Sequence, residues 1–470
     1  MMAEEVEKCE ELTRGDDRAQ VPLKDGTVYS PRKAHCRLHA RTLEDYVPLI
    51  GEDETRSLEN VAADLLGLKI LEINSTAVGG GVAEMLQSSV PFVNTLGLEA
   101  EWKVMKGSES YFEVTKSIHN LLQGKGGDFT AEMEEIYFAT LRENVAHNII
   151  DWEPDVVMIH DPQPFGLAPY LKRQGETWFW RCHIDIEDNL TEGSPLWEFM
   201  NQWVRYYDAL VFSAAHYVVS HWPACSFIIP PFIDPLADKN RDMEPDEVQA
   251  VLDRYEIDPR LPIISQIGRF DPWKGIDRTI DTYRLVKEKE RCQLVLAGGA
   301  ATDDPEGERV LSQVYERTRD DPDIHVLNLP PRSDIEVNAL QRASKVVMQP
   351  SIREGFGLTV TEAMYKARPV MSCPVGGIPM QIREGDNGYY CINLEEDALR
   401  ILMLLRDPAE AESVGARARS YVEEHFLMPC RVADYLRAIG DTRLCKRYPE
   451  TIISYHPWYK MSRMPGLWNG

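Results

Sequence analysis

The sequence has no long apolar run. No stretch approaches the roughly 18 uninterrupted apolar residues of a membrane span. The acidic start Met1-Met2-Ala3-Glu4-Glu5 has no apolar segment behind it, so neither a membrane span nor a secretory signal is expected. Positive charge is also scarce. Lys plus Arg number 51 against 76 Asp plus Glu, a net charge of −25. That balance excludes broad non-specific binding to nucleic acid and docking on an anionic membrane, both of which need a basic footprint. Paired cysteines are missing. The nine cysteines are odd in number, scattered from Cys9 to Cys445, and contain no C-x-x-C. This argues against a disulfide framework and a cysteine zinc site, and for a reduced, cytoplasmic compartment. There is no H-E-x-x-H, no EF-hand loop and no D-x-D flanked by apolar strand residues, so no metal is expected. No G-x-S-x-G elbow marks a serine hydrolase. Internal repeats and low-complexity runs are absent from the sequence as well.

What remains is an ordinary globular composition, 43% hydrophobic and 9% aromatic. A chain of 470 residues has length for two or three domains. Residues 1–40 are polar and form an N-terminal extension, with much of Met1–Ala19 expected to be mobile. From Leu65 short apolar runs alternate with amphipathic segments. Leu68–Ile73, Asp155–Ile159, Trp178–Cys182, Ala209–Phe212 and Phe227–Ile229 read as strands. Helices are expected from about Val82, over Tyr111–Leu122 and over Ala131–Ile150. The pattern breaks at Pro230-Pro231-Phe232-Ile233-Asp234-Pro235, where three prolines rule out a helix or a central strand. A hinge is placed there. A second series follows, with strands Pro262–Ile267, Gln293–Ala297, Ile324–Leu327, Val346–Gln349 and Pro369–Ser372. Its helices are Ile276–Glu288, Asp334–Ala343 and Leu358–Lys366, and three more close it near Leu399–Leu405, Ala409–His425 and Arg431–Ile439. Strands alternating with helices imply parallel sheets of the α/β class: two Rossmann-like, doubly wound domains, 41–230 and 231–440, facing each other across a cleft. Residues 441–470 form a tail rich in aromatics (Tyr455, Trp458, Tyr459, Trp468), expected to pack on the body or on a second subunit of a homodimer.

Three motifs fall at predicted strand ends. Glu354-Gly355-Phe356-Gly357-Leu358-Thr359-Val360-Thr361-Glu362 follows Val346–Gln349 and opens a helix. Its glycines admit a ligand close to the backbone, and the helix N-terminus offers N–H groups to a phosphate. Glu362 is placed to accept hydrogen bonds from ribose hydroxyls, Glu354 from those of a sugar. Gly268-Arg269-Phe270-Asp271-Pro272-Trp273-Lys274-Gly275 follows the first strand of the second half, and Arg269 with Lys274 can neutralise a diphosphate. Asn74-Ser75-Thr76-Ala77-Val78-Gly79-Gly80-Gly81-Val82-Ala83-Glu84 follows the first strand of the first half. It matches neither G-x-G-x-x-G nor a P-loop, which weakens nicotinamide and P-loop kinase readings. Gly80 and Gly81 suit close approach to phosphate or sugar. Two histidines also end strands. His160-Asp161-Pro162-Gln163-Pro164 follows one, and His183 follows another, with Asp185 near enough to set its tautomer.

These motifs resemble those of retaining glycosyltransferases of family four with the GT-B fold. Their signature, Gly-Arg-x(4)-Lys-Gly followed by Glu-x(7)-Glu, is matched by Gly268–Gly275 and Glu354–Glu362. In the first half Asn74–Leu86, Glu101–Val104, His160–Pro164 and Trp180–Asp185 look like the trehalose glycosyltransferring synthases. The similarity spans about Thr42 to Ile439 and leaves the role of Asp25–His39 open.

The resemblance implies transfer of glucose, with retention, from a nucleoside diphosphate glucose to free glucose, giving α,α-trehalose. The nucleotide sugar is a co-substrate, and neither cofactor nor metal is implied. Arg269, Lys274 and the amides of Gly357, Leu358 and Thr359 then hold the diphosphate, helped by the glycine loop, Gly355 and Phe356. Glu362 takes the ribose, Glu354 the donor glucose, and His183 the reacting region. His160, Asp161, Gln163 and Asp185 face the acceptor. Base contacts are expected from the backbone near Val326–Leu329. A trehalose phosphorylase using glucose 1-phosphate, a glucosyltransferase with another small acceptor, and a non-catalytic nucleotide-sugar sensor remain open as alternatives.

Overall fold

The computed structural model describes residues 41–447, apart from 79, 125, 187–192, 220–221 and 300–304. The expectations for residues 1–40 and for the aromatic tail from Tyr448 fall outside the described residues.

Two six-stranded sheets carry the fold. The first contains β1 (Lys69–Asn74), β2 (Glu99–Val104), β3 (Val156–His160), β4 (Thr177–Cys182), β5 (Ala209–Phe212) and β6 (Cys225–Ile228), in the order β2-β1-β3-β4-β5-β6. The second contains β7 (Ile263–Ile267), β8 (Gln293–Gly298), β9 (Ile324–Asn328), β10 (Val346–Gln349), β11 (Val370–Ser372) and β12 (Tyr389–Tyr390), in the order β12-β11-β10-β7-β8-β9. Every pairing is parallel. Parallel strands are covered by helices on both faces and therefore read as continuous apolar runs. β3 (VVMIH) and β7 (IISQI) are buried along their whole length.

The exceptions explain what the sequence reading missed. β2 (EAEWKV) lies at a sheet edge and alternates polar with apolar residues. β12 is only two residues long and lies at an edge of the other sheet. The helices Leu43–Ala63, Pro195–Val204, Pro245–Arg254 and Pro305–Thr318 were also missed. Two of them had a legible start: Ser194-Pro195 and Glu244-Pro245 put a proline in the first helical turn behind a residue that caps it.

The chain crosses between the halves twice, side by side. Ile233 in the proline segment donates its N–H to Phe426 O at 3.0 Å, and Met428 N–H returns to Ile233 O at 2.9 Å. The second crossing corrects the expected domain division at residue 440. The helix Met428–Arg447 packs in the first half's core, where Val432, Leu436 and Ile439 meet Tyr46, Leu58, Ile70 and Met158. It packs there against the helices Leu43–Ala63 and Gly81–Thr95. No described helix is long and apolar enough to cross a membrane.

Candidate active site

In the second half, β7 and β10 are neighbours, so the loops at their carboxyl ends lie together. The first loop supplies Arg269 and Lys274, the second Glu354. Lys274 Nζ sits 2.6 Å from Glu354 Oε2, which also accepts from Ser351 Oγ at 3.2 Å. Arg269 stays open, its side chain 52% exposed and its nearest carboxylate, Asp271, 3.9 Å away. Behind Glu354 the backbone of Gly376 passes so close that a Cβ there would lie 1.6 Å from Glu354 O. Gly376 also has φ 55°, so only glycine fits. Gly357, at φ 88°, is the N-cap of the helix Leu358–Tyr365 and, having no side chain, leaves the first-turn N–H groups without a side-chain cap. Leu358 and Thr359 form its first turn. Phe356 is 5% exposed and packs edge-on against Phe426 at 5.4 Å between ring centroids, so its side chain is core and only its backbone is available to a ligand.

The first half brings a second helix N-terminus to the same place. Gly80 precedes the helix Gly81–Thr95, and a Cβ on Gly81 would lie 2.7 Å from Leu358 Cδ1. Two positive helix ends therefore converge across the cleft, the arrangement that receives a polyanionic group.

Glu362, expected to accept from ribose hydroxyls, is held in a buried ion pair. It is 1% exposed, and its Oε1 lies 3.1 Å from Lys239 Nζ, which also binds Glu84 of the first half at 2.9 and 3.0 Å. Burial raises the Glu362 carboxyl, with Lys239 opposing; for Lys239 burial works downward but the two glutamates outweigh it and hold the amine charged. Glu362 Oε2 has no partner in the protein. A cavity of about 70 Å³ beside these residues is lined by Glu84, Asp234, Lys239, Asp334 and Glu362. Lys239 follows the proline hinge by only a few residues, and no sequence signal marked it. Tyr217, also missed, donates its hydroxyl to Gly355 O at 2.8 Å across the cleft.

On the first half's side, the register His160↔Arg181 brings the ends of β3 and β4 level. His183 then abuts the donor loop: a Cβ on Gly355 would lie 2.7 Å from His183 O. Asp161, held at φ 63°, accepts the His183 backbone N–H at 2.8 Å, and burial pushes its carboxyl up to about 6. His160 is 4% exposed, with one ring nitrogen 2.9 Å from His183 Nε2 and the other 2.7 Å from Glu72 Oε2. This corrects two expectations. His160 has no nitrogen left for a sugar, and the partner of the His183 ring is His160 rather than Asp185. Asp185 instead accepts from the Gln123 side-chain amide, while Arg353 of the second half donates to the Gln123 carbonyl. Burial pushes the Asp185 carboxyl up to about 6, with Arg353 opposing. Gln163 keeps its amide oxygen buried and unpartnered, and its backbone carbonyl accepts from Tyr111. Among the described residues no group of three His, Cys, Asp or Glu is placed to hold a metal ion.

The cleft thus joins an anion-receiving end (Arg269, Lys274 and two helix N-termini) to an end rich in carboxylates and imidazole, suited to a polyhydroxylated ligand. Comparison with known proteins agrees with this geometry. Residues 72–219 match the family "Trehalose synthase, N-terminal domain" and residues 249–421 match "Glycosyl transferases group 1". The chain is 43% identical over 401 residues to the trehalose synthase of Pyrococcus horikoshii, covering 84% of this chain and 95% of that protein. It is 30% identical over 432 residues to the trehalose phosphorylase of Pleurotus pulmonarius, covering 81% of this chain and 58% of that protein. The solved α,α-trehalose 6-phosphate synthase from Burkholderia multivorans shares the fold, with a TM-score of 0.64 at 13% identity over 80% of this chain and 99% of that one. Facing parallel sheets, a cleft built from both and these relatives lead to one conclusion: the chain belongs to the trehalose synthase family of glycosyltransferases with the GT-B fold.

Proposed function

We propose that the protein transfers glucose, with retention of configuration, from a nucleoside diphosphate glucose to free glucose, giving α,α-trehalose and the nucleoside diphosphate. The observation that carries this reading is the convergence of the helices starting at Gly81 and Leu358 beside the Lys274–Glu354 pair. A diphosphate fits there because N–H dipoles and two cations meet charge that grows as the leaving group departs. Arg269 and Lys274 hold the diphosphate, Glu354 orders donor glucose hydroxyls, and the unpartnered Glu362 Oε2 takes a ribose hydroxyl. His183 and Asp185 line the side from which the acceptor approaches. The leaving phosphate takes the acceptor's proton as the new bond forms on the face it vacates. The reading includes action in the cytoplasm on small-molecule substrates, without a metal.

The unpartnered Glu362 oxygen favours a nucleotide donor over glucose 1-phosphate, which has no ribose. The test is a panel of nucleoside diphosphate glucoses and glucose 1-phosphate, each offered with glucose and followed by product analysis. Trehalose from at least one nucleotide donor is expected. Trehalose from glucose 1-phosphate in the absence of nucleotide overturns the proposal, as does donor binding without turnover on any sugar.

A further inference from the structure

The ring of His183 has one nitrogen committed and one free, and the commitment traces back to a carboxylate on a different strand. Glu72 on β1, His160 at the end of β3 and His183 just past β4 form a line. Glu72 Oε2 is 2.7 Å from His160 Nε2, and His160 Nδ1 is 2.9 Å from His183 Nε2. The two rings lie nearly parallel, 14° apart, with centroids 5.2 Å from each other. His183 Nδ1 is buried and has no partner in the protein.

Donor and acceptor rules then fix the protons along the line. A carboxylate only accepts, so His160 Nε2 must carry hydrogen. A neutral imidazole has one N–H, so His160 Nδ1 offers a lone pair. His183 Nε2 must donate to that lone pair, which leaves His183 Nδ1 bare. The alternative is a proton on both nitrogens of His160. That would turn His183 Nε2 into an acceptor and move its single hydrogen to Nδ1. Arg181 opposes extra positive charge here: its guanidinium is fully buried, its nitrogens find no acceptor, and it lies 5.8 Å from the Tyr435 ring. Burial, then Arg181 and His160, hold His183 itself well below the ordinary histidine range.

We infer that Glu72 and His160 are positioning residues that lock His183 in its Nε2–H tautomer, so that Nδ1 accepts a hydrogen bond from a hydroxyl of the bound sugar. The tautomer assignment stands on the hydrogen-bond geometry and the buried Arg181 charge, whereas the sugar contact rests on the function proposed above. A histidine presenting the other tautomer would offer a donor there, and a hydroxyl would have to turn its lone pair inward and aim its own hydrogen elsewhere. The lock therefore selects which way the hydroxyl points.

Nitrogen NMR of the full chain with ¹⁵N-labelled histidine, without substrate, reads the tautomer directly; His183→Gln identifies the signals. A non-protonated Nδ1 and a protonated Nε2 on His183 are expected. The reverse pattern, or a doubly protonated His160, overturns the inference. Glu72→Leu removes the terminal acceptor and is expected to mix the His183 tautomers. It should raise KM for the acceptor glucose roughly tenfold while leaving donor KM within about twofold, the loss of one hydrogen bond. Glu72→Gln keeps an acceptor oxygen and should restore both readouts; if it alone folds, its His183 pattern must match the parent chain. Equal shifts in donor and acceptor KM overturn the sugar-contact half. If no sugar is transferred at all, the function proposal fails while the NMR result still decides the tautomer.

Discussion

Lys274 Nζ lies 2.6 Å from Glu354 Oε2 although 80 residues separate them. The pair joins the two motifs that the sequence offered separately. Neither side chain is free in this state: the lysine neutralises the carboxylate, and the carboxylate holds the lysine in place. In the proposed reaction, a donor that brings phosphate to Lys274 and sugar hydroxyls to Glu354 would satisfy both partners as it separates them.

Lys274→Ala and Glu354→Ala are each expected to lower kcat/KM by about 100-fold or more, the cost of removing one preorganised transition-state contact. The double variant should fall well short of the product of the two losses, because residues in direct contact couple. Steady-state kinetics with varied donor measures this. Near-native kcat/KM in either single variant contradicts the assigned roles, and so does near-native kcat/KM in Arg269→Ala.

Lys239 ties Glu362 of one half to Glu84 of the other. Lys239→Met leaves the Glu362 carboxylate buried without its cation, which costs about 3 kcal/mol of stability. Glu362→Gln added to Lys239→Met should recover most of that loss, since the buried group is then neutral. Denaturant unfolding of the two variants and the parent checks it, and a Lys239→Met protein as stable as the parent refutes it.

The Asp185 carboxyl is pushed up to about 6, mainly by burial. Its charged form, the better acceptor for a sugar hydroxyl, is lost as pH falls through that value. With glucose varied, kcat/KM should decline below about pH 6. Asp161 titrates in the same region, so the assignment needs Asp185→Asn. That variant should lower the plateau and remove the part of the decline that belongs to Asp185. An unchanged acid limb assigns it to another group.

The two backbone crossings at Ile233 and Phe426–Met428 are hydrogen-bonded to each other, so a narrow double strand connects the halves. Closure of the cleft around substrates is expected to reduce the radius of gyration when donor and glucose are both present. Small-angle scattering tests it, and an identical profile with and without ligands rules it out.

Much of the fold was legible because buried parallel strands spell themselves out. Runs such as Val156–His160 and Ile263–Ile267, separated by helical periods, define both sheets without any tertiary information. The strands Glu99–Val104 and Tyr389–Tyr390 were not legible, because the first alternates polar with apolar residues and the second is only two residues long. The helix Met428–Arg447 was readable in part, but its attachment to the first half was not, since periodicity shows that a face is buried and not what it is buried against.

For the site, the sequence alone determined the chemistry on offer. Glycines at strand ends, Arg269, Lys274, Glu354, Glu362 and His183 follow from local spacing, because a strand that turns into a helix presents its loop at the sheet's carboxyl edge. Only the tertiary structure decided how those groups are paired. Glu362 meets Lys239, Lys274 meets Glu354, and His183 meets His160 backed by Glu72. Each of these contacts joins segments far apart in the chain, and side-chain charge and proton position are set by neighbours in space, which no local pattern encodes.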